Sequence, residues 1–116
     1  MINLKFQIEC FVNEKNKGFT DGSIFIDYTE KDINIFYRKV ALLHSEISEL
    51  VESMRQGSLF KQCDKAIGLT NVQEELADIQ IRLLTLAGFM GVDLPKVTKI
   101  KHEFNKSRPY KHGKNS

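Results

Sequence analysis

Two pairs of acidic residues are the part of this sequence best suited to chemistry. Glu46 and Glu49 form the first pair, and Glu75 and Asp78 form the second. Residues three apart are neighbours on one face of an α-helix, so each pair places two carboxylates side by side. At ~4 Å and an effective dielectric constant of ~20, such like charges repel by roughly 4 kcal/mol. A bound divalent cation offsets this repulsion, and hard oxygen ligands suit Mg²⁺.

The residues alone leave other interpretations open. Acids three apart are common on solvated helix faces, and Asp78 can pair with Arg82 one turn later. A di-iron centre in a helical bundle would need Glu-x-x-His motifs on two helices, and this sequence has none. His44 precedes Glu46 by only two residues, which points it to a different face. An all-carboxylate set favours Mg²⁺ or Mn²⁺ over iron or zinc.

The elements that must position these acids are predicted to be helices. Apolar residues recur at the helical period over four segments, which predicts an all-α bundle of about four helices. The predicted segments are Asn3 to Asn16, Thr29 or Glu30 to Gly57, a third helix capped by Asn71 and closed by Gly91, and a fourth capped by Asp93 with Pro95 in its first turn. The stretches at 19–29 and 58–70 are predicted to be loops.

The third helix is apolar on more than one side. One face carries Val72, Leu76, Ile79, Leu83, Leu86 and Met90, and a second line carries Ala77, Ile81 and Leu84. A helix that is apolar on most sides is buried on most sides, so we expect a second subunit to complete the bundle. The alternative is that the first helix and the loops suffice. The fourth helix is predicted to face inward through Leu94, Val97, Ile100 and Phe104.

Length and composition limit the class of protein. The 116 residues predict a single domain, 1–116, with a basic tail at 108–116. A net charge of +2 gives no indication of a nucleic-acid partner, and no apolar run suits a membrane span. The first residues lack a signal-peptide pattern. Cys10 and Cys63 are predicted to be reduced thiols, as in a cytoplasmic protein.

Three segments together resemble a known family. These are Leu43-His44-Ser45-Glu46-Ile47-Ser48-Glu49-Leu50, Glu74-Glu75-Leu76-Ala77-Asp78-Ile79, and the basic run from Asn105 to Lys114. The resemblance is to the MazG-like nucleotide pyrophosphohydrolases of the all-α nucleoside triphosphate pyrophosphatase superfamily, and it covers roughly Lys39 to the C-terminus. Thr20 stands where that family often has an aromatic residue, so the base pocket is less well matched than the metal site.

The resemblance implies a Mg²⁺-dependent enzyme that hydrolyses a nucleoside triphosphate to a monophosphate and pyrophosphate. It makes Glu46, Glu49, Glu75 and Asp78 the metal ligands, and the homodimer or homotetramer the expected assembly. Glu49, or else Glu46, is expected to activate water. The resemblance also places Lys101, Asn105 and Arg108 near the nucleotide. Phosphoribosyl-ATP pyrophosphohydrolase and a non-catalytic helical module that binds nucleotides or proteins are the alternatives.

Overall fold

Four α-helices form the part of the protein that the computed structural model describes, residues 2–16 and 30–109. They are α1 (Leu4–Asn16), α2 (Glu30–Arg55), α3 (Asn71–Phe89) and α4 (Leu94–Lys106). These residues contain no β-strand, only an isolated bridge between Gln62 and Thr70. The all-α prediction is therefore confirmed for this part of the chain. The predicted loop at 19–29 and residues 110–116 of the basic tail lie outside the described residues.

The start of α3 differs by one residue from the prediction. Thr70, not Asn71, is the cap, and it forms a capping box with Gln73. The Gln73 N–H donates to the Thr70 hydroxyl, and the Thr70 N–H donates to Gln73 Oε1 at 3.0 Å. The Asn71 side chain instead donates to the Ser58 carbonyl at 2.8 Å. Both residue types are good caps, so the local sequence does not decide between them.

The other predicted helix ends agree with the structure. Asp93 caps α4 by accepting a hydrogen bond from the Lys96 N–H, and Pro95 lies in the first turn. Gly57 and Gly91 follow α2 and α3 with φ angles of +66° and +68°. Glycine adopts this left-handed conformation at little cost, which ends each helix sharply.

The core lies where α3 meets α1 and α2. It consists of Phe11, Ile35, Phe36 and Phe89, with the Phe11 and Phe89 rings edge-to-face and their centroids 4.8 Å apart. Gly88 permits this close packing, because a Cβ atom there would lie 2.9 Å from the Phe11 Cβ.

Gln7 joins α1 to the turn between α3 and α4. Its side chain is buried, donates to the Val92 carbonyl at 2.6 Å and accepts from the Leu94 N–H at 2.9 Å. Sequence reasoning assigned no role to this residue. The helix that follows, α4, packs against α1.

Several apolar residues that were expected to face a core are exposed in the single chain. Leu76 and Leu83 of α3 are 53% and 40% exposed, and α4 has no buried residue. The inward orientation predicted for Val97, Ile100 and Phe104 is therefore wrong for the isolated chain, because α4 contacts other helices over a small part of its surface. No helix within the described ranges is long and apolar enough to cross a membrane.

The predicted loop after α2 has a defined conformation. The Cys63 N–H donates to the Leu69 carbonyl at 2.9 Å, and the Val72 N–H donates to the Leu59 carbonyl at 2.8 Å. The Cys63 side chain is buried as a free thiol. These contacts fix the segment that carries Lys65 to the start of α3.

Candidate metal centre

Three of the four predicted acids converge in the folded chain. Glu46 of α2 and Glu75 and Asp78 of α3 can each place one carboxylate oxygen within 4.8 Å of the others. The two acids of each pair lie about one helical turn apart on their helix, and α2 and α3 pack directly against each other. The helical spacing and the packing of these two helices therefore produce a cluster that neither acidic pair could form alone.

The cluster contains acceptor atoms with no donor. Glu46 Oε2 and Glu75 Oε2 are buried and have no hydrogen-bond partner within the described part of the chain. A buried carboxylate oxygen without a partner is costly. A divalent cation coordinated by oxygen would satisfy both atoms and offset the mutual repulsion, so the residues present fit Mg²⁺ or Mn²⁺.

The electrostatics of the cluster are those of crowded acids. Burial, followed by the charges of Glu49, Asp78, Glu46 and Glu74, raises the pKa of Glu75 to about 7. Burial and the charges of Glu46 and Glu74 also raise the pKa of Asp78, against the opposing effect of Lys65 and Arg82. In the absence of a cation, a proton therefore takes over part of the charge compensation.

Glu49 lies at the margin of the cluster. Its side chain is exposed, and it is not one of the three residues whose oxygens converge. Its charge is nevertheless the largest electrostatic contribution to the raised pKa of Glu75. The structure therefore places Glu49 beside the converging acids, on the solvent side.

Two cations beside the acids are held by partners that sequence reasoning did not anticipate. Arg82 Nε lies 3.4 Å from Glu46 Oε1, and Arg82 Nη1 lies 3.5 Å from Glu14 Oε1 of α1. Glu14 also forms a buried ion pair with Lys39 of α2. The pairing of Asp78 with Arg82 that the sequence allowed is thus replaced by a link from Arg82 to α1 and α2. Glu14 is 25 residues from Lys39, so local spacing gives no sign of this contact.

The second cation comes from the loop before α3. Lys65 Nζ lies 2.9 Å from Glu74 Oε2 and 3.2 Å from Asp64 Oδ1. These hydrogen bonds, that to Glu74 first, raise the pKa of Lys65 above its usual range. Glu74 is buried next to Glu75, but its carboxylate pairs with Lys65 and is not one of the three that converge.

A cleft opens next to the acids between α1 and α3. Its volume is about 540 Å³, and Asp78, Arg82 and Glu14 line it together with Phe6, Asn13 and Thr85. This volume is in the usual range for small-molecule sites. The cleft brings polar groups and one aromatic side chain to the edge of the acidic cluster.

The predicted nucleotide-contacting residues lie on a different helix. Lys101 and Asn105 line a shallow pocket with Val97, Thr98 and His102, all from α4. Lys101 and Arg108 both lie over the Phe104 ring. The acids are on α2 and α3, whereas Lys101 and Asn105 are on α4, which packs against α1, and Arg108 follows the end of α4. The proposed role of these residues rests on the resemblance alone.

The raised pKa of Glu75 predicts a pH-dependent stability of the metal-free protein. The folded state holds a proton up to pH about 7, whereas the unfolded chain releases it near the ordinary glutamate pKa of 4.5. The contribution of Glu75 to the free energy of unfolding is therefore greatest below pH 4.5 and declines as the pH rises to about 7. Because the side chain is only partly buried, we expect a contribution of about 1–2 kcal/mol. Urea unfolding in a chelating buffer at pH 5.5 and 8 measures it.

The matched control for this pH dependence is Glu75→Gln. Glutamine carries no titrating group, so the variant should lose less stability than wild type between the two pH values. An equal loss in both proteins would show that Glu75 does not titrate in this range.

Comparison with protein-family models, with curated proteins and with solved structures finds no match for this chain.

Proposed function

We propose that this protein is a Mg²⁺-dependent nucleoside triphosphate pyrophosphohydrolase, with Mn²⁺ as an alternative ion. It would convert a ribo- or deoxyribonucleoside triphosphate to the monophosphate and pyrophosphate. The observation that carries the proposal is the convergence of Glu46, Glu75 and Asp78, with two buried oxygens that lack a donor. The reaction class is supported by the resemblance of the motifs to those of the MazG-like enzymes.

The acids have separate roles in this proposal. Glu46, Glu75 and Asp78 would hold the cation, and Glu49 would complete the set or accept a proton from the attacking water. A bound divalent ion neutralises phosphate oxygens and lowers the pKa of bound water. Glu49 suits the proton-accepting role because it is exposed beside the cluster, where water has access.

The residues around the acids hold the carboxylates in place and leave room for a substrate beside them. The Arg82 guanidinium holds one oxygen of Glu46 and leaves the other without a donor, so the carboxylate is fixed for coordination. The adjoining cleft of about 540 Å³ is large enough for part of a nucleotide. Lys101 and Asn105 of α4, and Arg108 just after it, would add contacts to the nucleotide.

The cellular setting follows from the resemblance. We propose a cytoplasmic homodimer or homotetramer that removes non-standard or excess nucleotides. It would need neither a nucleic-acid polymer nor a membrane.

The proposal is tested by product analysis with a panel of ribo- and deoxyribonucleoside triphosphates and phosphoribosyl-ATP, with Mg²⁺ or with a chelator. Stoichiometric monophosphate and pyrophosphate from a nucleoside triphosphate, only with Mg²⁺, is the expected result. Preference for phosphoribosyl-ATP would assign the related activity instead. Mg²⁺-independent turnover, or no turnover of any substrate, would overturn the proposal.

The Glu49→Gln variant separates proton transfer from metal binding. General-base catalysis typically contributes 10²–10⁴-fold, so pyrophosphate release should fall by at least ~100-fold. The thermal stabilisation by Mg²⁺ should stay near that of wild type, because the three converging acids remain. The exposed Glu52, on the same helix and paired with Arg55, provides the control variant Glu52→Gln. Full activity of Glu49→Gln would remove Glu49 from the site.

A further inference from the structure

Lys65 is a solvent-exposed cation on the loop that leads into α3, and we infer that it binds the phosphate chain of the substrate. Its side chain is 59% exposed and lies beside the acidic cluster without belonging to it. Nothing in the spacing of the acidic motifs points to this residue. The inference deepens the proposed function and rests on its premise that a phosphate chain lies at the bound cation.

The loop holds Lys65 in place through its backbone. The Cys63 N–H donates to the Leu69 carbonyl at 2.9 Å, which closes the turn that carries Lys65. Within this turn, Ala66 and Gly68 both have a left-handed backbone, with φ angles of +56° and +78°. Alanine adopts this conformation only at an energetic cost, so the closed turn must impose it. The position of Lys65 is therefore set by the loop and not only by the acids that its side chain contacts.

The ammonium group of Lys65 lies next to the converging acids. Its Nζ is 2.9 Å from Glu74 Oε2, and Glu74 directly precedes Glu75. Its charge also acts on Asp78, where it opposes the rise in pKa that burial and the neighbouring acids cause. A phosphate chain bound to a cation at Glu75 and Asp78 would thus lie within the electrostatic reach of Lys65.

Lys65 retains hydrogen-bonding capacity for a ligand. An ammonium group has three N–H donors. Among the described residues, Lys65 donates to Glu74 Oε1 at 3.1 Å and to Asp64 Oδ1 at 3.2 Å. The Asp64 side chain is 91% exposed, and an ion pair in water contributes little. One donor is therefore free of these two bonds, and a phosphate oxygen can displace Asp64 from a second.

The other cation beside the cluster is less suited to this role. Arg82 is 35% exposed and is held by two carboxylates, those of Glu14 and Glu46, whose side chains are 13% and 12% exposed. Its charge is thus already compensated by two largely buried acids. Lys65 instead shares its charge with one buried acid and one fully solvated acid, and a lysine ammonium binds phosphate as a compact point charge.

Calorimetric titration of the full chain with inorganic pyrophosphate, at saturating Mg²⁺, tests the inference. Lys65→Gln should weaken pyrophosphate binding by at least ~10-fold, because a hydrogen bond to a charged group is lost. Lys65→Arg keeps the charge and should bind more tightly than Lys65→Gln. Lys61→Gln removes the same charge from an exposed position of the same loop, and it should bind as wild type does. Binding of Mg²⁺ alone should not weaken in any of these variants.

A double variant separates phosphate binding from a purely structural role. If Lys65 only neutralised the buried Glu74, removing both charges in Lys65→Gln/Glu74→Gln would restore wild-type affinity for pyrophosphate. If Lys65 binds phosphate, the double variant should remain at least ~10-fold weaker. Circular dichroism of each variant confirms that the helices are retained.

Three results would overturn the inference: no binding of pyrophosphate by wild type at saturating Mg²⁺, equal affinity of wild type and Lys65→Gln, or recovery in the double variant. None of these measurements requires turnover. A chain that binds pyrophosphate through Lys65 but hydrolyses no triphosphate would overturn only the proposed activity. A chain that hydrolyses triphosphates with the same Michaelis constant in wild type and Lys65→Gln would overturn only the role of Lys65.

Discussion

Replacing Glu75 with glutamine should abolish Mg²⁺ binding and reduce pyrophosphate release by at least ~100-fold. Glu75 is at the centre of the cluster, since the charges of Glu46, Glu49, Glu74 and Asp78 all act on it. Its replacement by glutamine removes one negative charge and one carboxylate from the converging set, and Mg²⁺, which gives up its water ligands reluctantly, then has too little charge compensation to gain by binding. A bound ion supplies several kcal/mol of charge stabilisation, and each 1.4 kcal/mol is tenfold in rate.

Two measurements on the Glu75→Gln variant distinguish loss of the metal from loss of the fold. Calorimetric titration with Mg²⁺ should show no binding, and circular dichroism should show an unchanged helical signal. In the metal-free state the variant should be at least as stable as wild type near pH 8, because one repulsive charge is gone. Mg²⁺ binding with wild-type affinity would contradict the assignment of Glu75, and the exposed Glu52→Gln variant gives the baseline.

Truncating Phe89 to alanine should lower the free energy of unfolding by about 3–5 kcal/mol. Phe89 is 1% exposed and contacts Phe11 of α1 edge-to-face, and Lys39 of α2 lies over its ring at 4.9 Å. Its loss leaves a cavity at the point where all three helices meet. Urea unfolding at matched protein concentration measures the change.

The control for Phe89 is a phenylalanine whose side chain is exposed to solvent. Phe60 is 81% exposed, so Phe60→Ala should change stability by less than about 0.5 kcal/mol. If Phe89→Ala does not fold, Phe89→Leu keeps most of the buried volume and should show a smaller loss. Equal stability of the Phe89 and Phe60 variants would mean that the three-helix junction is not the main core.

The positions of the helices and the candidate metal-binding acids could be predicted from the sequence for a physical reason. Helical periodicity, caps and the three-residue spacing of Glu75 and Asp78 are local properties, and local properties are read directly from neighbouring residues. The prediction that Asn71 caps α3 is wrong because Thr70, which caps equally well, takes that position, and the Asn71 side chain contacts Ser58 instead.

The features that sequence reasoning missed depend on distant parts of the chain. The link from Arg82 to Glu14 and the pairing of Lys65 with Glu74 arise only when α1 and the loop pack against α3. The exposure of Leu76 and Leu83 likewise follows from where α1 lies. An apolar pattern identifies the side of a helix whose burial is favourable, but it does not indicate which other element buries that side.

The Arg82 side chain gives the acidic centre a thermodynamic tie to the N-terminal helix. This one guanidinium holds both Glu14 and Glu46. To the extent that Glu14 orders Arg82, a ligand that prefers the ordered Glu46 would also favour the docked state of α1. Linkage is reciprocal, so fraying of α1 would lower ligand affinity by the same factor by which the ligand suppresses fraying. The amide protons of residues 4–16 would then report on occupancy of a site to which that helix contributes no converging acid.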